Sequence, residues 1–176
     1  MEFDEKDLLA TPRFRIAQIT TTGEDGRQLQ REVVRHPGAV TILALVDTNR
    51  VCLIRNRRVA VDKTLIELPA GTREPGESPL ETAHRELIEE TGYQADRLAL
   101  LTEFYLSPGI LDERMYLYLA EDLTDVGPRR EAGEEIENLV VEWDAAIRLI
   151  EDGEIEDAKT IVGLLFYDRL RDEKLR

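Results

Sequence analysis

The chain has 176 residues, 42% of them apolar, with 23 Lys and Arg against 37 Asp and Glu and a formal net charge of -14. That length and apolar content suit one packed domain and argue against global disorder. The acidity excludes a long nucleic acid tract as partner, because that demands a basic face, but leaves room for a small anion in one locally basic pocket.

A single cysteine, Cys52, excludes an intramolecular disulfide and a zinc ribbon. Residues Met1 to Pro12 are acidic and lack both a basic n-region and an apolar h-region, so no secretory signal is expected. Even Ala39 to Val46, taken with Thr41, falls far short of the ~20 residues of a membrane span. No membrane partner and a cytoplasmic location are the expectation.

In chain order, the first ten residues read as a poorly ordered tail. Arg13 to Thr20 and Gln28 to His36 flank the polar turn Thr22 to Gly26 and read as a hairpin, closed by His36-Pro37-Gly38. Ala39 to Val46, almost wholly apolar, and Val51 to Arg55 follow as strands around the turn Asp47 to Arg50. Leu65 to Leu68 is a short strand ending at Pro69. Ser78 to Thr91 is the clearest helix: Ser78 caps it, Pro79 takes the first helical position, Glu81 completes a capping-box spacing and Gly92 stops it. Leu80, Ala83 and Leu87 share its core face. Leu98 to Tyr105 and Glu113 to Ala120 read as strands around the loop Leu106 to Asp112. An acidic loop, Asp122 to Glu137, precedes a last strand, Asn138 to Glu142, and helices over Asp144 to Glu151 and Asp157 to Arg171. Residues 1–38 thus form an N-terminal tail and hairpin, and 39–176 an α/β domain whose mixed sheet is covered on both faces.

Chemistry concentrates in Gly71-Thr72-Arg73-Glu74-Pro75-Gly76-Glu77 and Arg85-Glu86-Leu87-Ile88-Glu89-Glu90-Thr91-Gly92. At about 100° per residue, Glu90 and Glu89 fall roughly 40° and 60° to either side of Glu86, so three carboxylates share one sector of the helix. Like charges so spaced repel on a bare helix. Crowding them beside a loop makes sense where a divalent cation neutralises them, and hard carboxylate oxygens suit Mg2+ or Mn2+. A solvated acidic face is the plainer alternative for the helix alone.

The full spacing, from Gly71 through Glu77 and Arg85-Glu86 to Glu89-Glu90 and Gly92, resembles the Nudix box, with Tyr93 where an aliphatic residue is usual. The resemblance implies an α/β/α sandwich and an enzyme cleaving a nucleoside diphosphate linked to another moiety. It implies that Glu86, Glu89 and Glu90 hold Mg2+ (or Mn2+), with Glu77 and Arg85 supporting them and Gly71 and Gly92 shaping the turns. Glu67-Leu68-Pro69-Ala70-Gly71 resembles the approach to the box in ADP-ribose pyrophosphatases, where the carbonyl matching Ala70 is a further metal ligand. Pro108, 15 residues after Tyr93, marks the same subgroup. Ser107, Glu113 and Arg58 match its substrate contacts, and Gly153 to Thr160 resembles the start of its C-terminal helix.

In that subgroup a late loop supplies a general base and another metal-linked glutamate. Here Glu134 fits the metal-linked position, whereas Ala132 holds the expected base position and Glu131 could substitute through a shifted loop; a box glutamate is the other candidate. Arg50, Arg55, Arg57 and Arg58 form a basic stretch suited to diphosphate oxygens. The N-terminal strands of the subgroup often cross to a second subunit, which implies a homodimer in which Arg31 reaches the partner's site. His84 reads as exposed or structural, His36 as a turn residue, Cys52 as buried and inert, and Trp143 as a core anchor. ADP-ribose, split into AMP and ribose 5-phosphate, is the expected substrate. GDP-mannose or another nucleotide sugar is the alternative within the class, and a non-catalytic nucleotide-binding module the alternative outside it.

Overall fold

A computed structural model describes residues 3–130 and 135–174, with side chains through Arg171. Ten strands run as β1 (Phe3–Ala10), β2 (Arg15–Thr22), β3 (Gln28–Arg35), β4 (Ala39–Leu45), β5 (Arg50–Arg58), β6 (Lys63–Glu67), β7 (Ala70–Thr72), β8 (Tyr93–Tyr105), β9 (Arg114–Asp125) and β10 (Ile136–Glu142). The helices are α1 (Pro79–Glu86), continued by a π turn over Leu87–Thr91, α2 (Trp143–Glu151) and α3 (Ala158–Lys174). Seven strands make one mixed sheet in the order β10-β5-β4-β9-β8, with β6 on β5 and β7 on β4. Its one parallel pair among the described residues, β4 with β9, sets Ala39 opposite Met115 and Ala44 opposite Ala120.

Period-two alternation along β4 builds both layers of the core. Val40, Ile42 and Ala44 pack with Cys52, Ala83 and Leu87 under α1, whereas Leu43 and Leu45 pack with Leu53, Leu117, Trp143 and Leu164 under α2 and α3. This is the expected α/β/α sandwich. Trp143 is the anchor its position suggested: it is buried, its Nε1–H donates to Asp168 at 2.6 Å, and its ring meets Tyr167 edge-on.

The N-terminal region departs from expectation. Phe3–Ala10 is not a tail but the outer strand of a separate three-stranded sheet, β1-β2-β3. Its charges obscured it, because they pair across strands: Arg35 Nη2 donates to Glu5 at 2.8 Å, and Arg15 pairs with Asp7. The sheet is fastened to the main body through β3. The Val34 N–H donates to the Ile110 carbonyl at 2.8 Å, and the Asp112 carboxylate accepts from the His36 N–H at 2.7 Å and from Arg35 at 3.0 Å.

The box helix also differs from a plain α-helix. The Ser78 and Glu81 capping box forms as the sequence predicts. The last turn widens to π, however, and Leu80 is 42% exposed rather than in the core. Thr82, Ala83, Glu86, Leu87, Glu90 and Thr91 are the buried residues, so two of the three clustered carboxylates lie on the packed side of the helix.

Candidate active site

Strand β7 sets Gly71 opposite Val40 in the sheet, directly against the helix. The glycine was expected for a tight turn; its observed use is close approach. A Cβ there would lie 1.9 Å from the Glu86 carboxyl carbon. The amide of Ala70 donates to Glu90 Oε2 at 2.8 Å.

Arg85 is the hub of the box. Its Nε and Nη2 donate to the two oxygens of Glu77 at 2.8 and 2.9 Å, while Nη1 donates to Glu86 at 2.7 Å and to Glu89 at 3.0 Å. The fork to Glu77 holds that carboxyl down to about 2 and pushes the guanidinium up. Three carboxylates thus share one guanidinium, and Glu90 adds a fourth negative charge nearby. The donor set is all oxygen, two of its members lie within 3.0 Å of one nitrogen, and the local charge is in excess. Those properties fit a hard divalent cation such as Mg2+ or Mn2+. Glu86, Glu89 and Glu90 are the side chains that would hold it.

These residues line a cavity of about 1060 Å³. In a chain carrying a net charge of -14, seven arginines and six carboxylates among the described residues line it, so the local balance is close to neutral. Arg57, Arg58, Arg73 and Arg85 come from the main body, and Arg13, Arg15 and Arg35 from the N-terminal region.

Of the expected site residues, Ala70, Gly71, Arg58, Arg85, Glu86, Glu89 and Glu90 meet in this cavity. Glu77 supports them through Arg85, and Gly92 ends the π turn with φ 79°. Ser107, Glu113 and Arg31 do not line the cavity of their own chain. The Ser107 carbonyl accepts from Ile110 and Leu111 in a loop, Glu113 sits 3.7 Å from His36, and Arg31 pairs with Ile19 in the N-terminal sheet. Arg50 is engaged with Asp47 away from the cavity. Glu131 and Glu134 lie outside the described residues. Cys52 is buried in the core, where burial pushes its thiol up to about 12. His84 is exposed.

Sequence reasoning missed Phe14, His36, Arg73 and Glu135, which all line the cavity. Phe14 and Arg13 occupy the turn between β1 and β2, and nothing local marks that turn as part of a site. Glu135 had a signal, since it directly precedes Ile136, where β10 pairs with Asn56.

The sequence model of the NUDIX domain matches residues 35–163. The chain is 41% identical over 144 residues to the ADP-ribose pyrophosphatase of Bacillus subtilis (strain 168), covering 81% of this chain and 78% of that protein. It is 35% identical to the methanol dehydrogenase activator of Bacillus methanolicus, over 93% of this chain and 92% of that protein. It is also 35% identical to the GDP-mannose pyrophosphatase of Cronobacter sakazakii (strain ATCC BAA-894), over 97% of this chain and 96% of that protein. A solved ADP compounds hydrolase superposes with a TM-score of 0.85 over 98% of this chain and 95% of that one, at 22% identity, which speaks for the fold. The chain belongs to the Nudix family. It is an enzyme of that family, a hydrolase of nucleoside diphosphate derivatives.

Proposed function

We propose that this hydrolase splits ADP-ribose into AMP and ribose 5-phosphate with a divalent cation, Mg2+ or Mn2+. The observation that carries this reading is one cavity lined by the Glu86, Glu89 and Glu90 carboxylates together with seven arginines. Glu86, Glu89, Glu90 and the Ala70 carbonyl would hold the cation, which when bound polarises phosphate oxygens and lowers the pKa of its water. Arg85 orients the carboxylates. Arg57 and Arg58 receive the diphosphate oxygens through charge-assisted hydrogen bonds. Phe14 offers a π face to the nucleobase. Glu131 or a box glutamate takes the proton of the attacking water and Glu134 adds a metal-linked carboxylate; Glu135, which follows Glu134 in the sequence, lines the cavity.

The reading includes a homodimer through the N-terminal strands. Phe3, Leu8 and Leu9 on β1 and Leu29 on β3 are each about half exposed, apolar side chains that a second copy of the sheet would cover. In such a dimer Arg31, Ser107 and Glu113 would serve the partner's cavity. A cytoplasmic setting goes with a nucleotide substrate.

The test is a panel of ADP-ribose, GDP-mannose, NADH and diadenosine polyphosphates assayed with Mg2+ and Mn2+. Release of AMP from ADP-ribose is expected, lost in Glu86→Gln and Glu90→Gln proteins that still fold. No AMP with either cation would overturn the reading. GDP-mannose is the second reading, favoured by the nearly full-length match to a GDP-mannose pyrophosphatase, and preferential release of GMP would establish it.

A further inference from the structure

Joined to Arg58 is a buried ionic network that uses two stretches not accounted for by the box: Glu67, ahead of Pro69, and the start of α3. Glu67 is 1% exposed. Its oxygens accept from Arg58 Nε at 2.8 Å and Arg58 Nη2 at 2.7 Å, and one of them also accepts from Lys159 Nζ. Lys159, 7% exposed, donates in addition to Asp157 at 2.9 Å. The other oxygen of Asp157 accepts from the Thr160 N–H at 3.0 Å, and Thr160 Oγ1 accepts from the Leu68 N–H at 2.8 Å. One turn on, a Cβ at Gly163 would lie 2.7 Å from Leu68 Cδ1, so α3 presses tightly on the segment that leads to Ala70.

Packing alone does not call for this arrangement, since apolar side chains of similar volume fill such a site at least as well. The network has one outlet. Arg58 lines the cavity, and with Nε and Nη2 forked onto Glu67 its Nη1 makes no hydrogen bond among the described residues, though the charge of Glu90 also acts on the guanidinium. Held by two bonds to a carboxylate that is itself fixed by Lys159, the guanidinium has little rotational freedom to lose when an anion arrives. Arg57, by contrast, pairs with the exposed Asp62 on the β5–β6 turn and has no buried anchor among the described residues.

We propose that Glu67 and Lys159 are positioning residues for substrate binding, which hold Arg58 so that its remaining nitrogen meets the diphosphate; this rests on the diphosphatase reading above. Neither residue touches the substrate. They act on binding, not on the bond-breaking step, and they do so through Arg58 alone.

The experiment combines steady-state kinetics on ADP-ribose with Mg2+ and calorimetric binding of α,β-methylene ADP-ribose in metal-free buffer. Glu67→Gln should raise KM and the analogue's Kd by about tenfold, the loss expected for a charged hydrogen bond, with kcat within about threefold of the unmodified protein. Arg58→Ala should raise both at least as far, and Arg58→Ala/Glu67→Gln no further than Arg58→Ala, because one residue works through the other. Additive effects, or an unchanged KM in Glu67→Gln, overturn the proposal. Should Glu67→Gln fail to fold, Glu67→Gln/Lys159→Met removes both buried charges together and carries the same comparison. Independently of any variant, the guanidinium Nε–H of Arg58 in the unmodified protein should show a slowly exchanging NMR signal, and fast exchange there overturns the fork. Absence of turnover by the unmodified protein is a different result, since it sinks the diphosphatase reading and this inference with it.

Discussion

The carboxyl group of Glu86 occupies the space that a side chain on residue 71 would need: a Cβ on Gly71 would stand 1.9 Å from Glu86 Cδ and 2.0 Å from Oε1. The strand β7 and the helix α1 therefore close on each other only because residue 71 has no side chain. Gly71→Ala must push the carboxylate out of place or part the two elements. Activity should fall about a hundredfold, the scale of a 1 Å misplacement in a site. Circular dichroism should still show the folded α/β spectrum. Full activity in Gly71→Ala would mean that Glu86 need not sit where it does.

Arg85 answers to three carboxylates at once, so its removal should be felt by all of them. Arg85→Ala leaves Glu77, Glu86 and Glu89 without their shared donor, and Arg85→Lys restores the charge but not the fork. Both variants should need roughly 10- to 100-fold more Mg2+ for half-maximal activity, as losses of ligand-orienting partners do. A titration of activity against Mg2+ checks this, and equal requirement in Arg85→Lys would reduce the guanidinium to a point charge.

Glu77 makes the box sensitive to acid. Its carboxyl is held down to about 2 by the hydrogen bonds from Arg85, from an ordinary value of 4.5. A depressed carboxyl contributes stability that is fully present above its unfolded value and lost as pH falls toward the folded one. The unmodified protein should therefore lose stability between pH 4.5 and about 2, and Glu77→Gln should show a flatter dependence in that window while being less stable at pH 7. Urea unfolding at several pH values measures both, and parallel curves would detach Glu77 from acid stability.

Phe14 is 37% exposed and, apart from His36, is the one aromatic ring lining the cavity among the described residues. Phe14→Ala should raise KM for ADP-ribose between about fivefold and a hundredfold, the range of a lost base–aromatic stack, with kcat little changed. Phe14→Tyr should bind as the parent does. An unaltered KM in Phe14→Ala would move the nucleobase elsewhere in the cavity.

What the sequence made legible was whatever local spacing encodes. The capping box at Ser78 and Glu81, the apolar run of β4 and the grouping of Glu86, Glu89 and Glu90 all depend on residues within a turn or a strand of one another. What stayed hidden depends on distant partners. Strand β1 reads as polar because its acidic residues find Arg15 and Arg35 on neighbouring strands. Phe14 reaches the cavity only because β3 is docked on the loop at Ile110. The Glu67–Lys159 contact spans 92 residues. Nor is the π turn encoded by Leu87 to Thr91 alone. Its carbonyls are taken up from outside, those of Glu89 by the Arg129 N–H at 3.1 Å, of Glu90 by Arg130 Nε at 3.2 Å and of Thr91 by Asn138 Nδ2 at 2.7 Å.

Two glycines of the box separate backbone strain from crowding. Gly76 has φ 90° with nothing within 4 Å of a would-be Cβ, whereas Gly92 has φ 79° and would set its Cβ 2.5 Å from the Pro128 nitrogen. Gly76→Ala should thus cost only the left-handed penalty, about 1–2 kcal/mol. Gly92→Ala bears that penalty and must also displace the 126–130 segment, which is tied back through the Val126 N–H to the Gly92 carbonyl at 2.8 Å. Its unfolding free energy in urea should fall further, by roughly 3 kcal/mol or more in all, with the crowding adding the remainder. Activity should separate the two as well. Gly76→Ala leaves the end of the π turn untouched, while Gly92→Ala disturbs the segment whose Arg129 and Arg130 secure the backbone of Glu89 and Glu90. Equal losses of stability in the two variants would show that the Pro128 segment yields freely, and the Gly92 contact would then have no hold on the carboxylates.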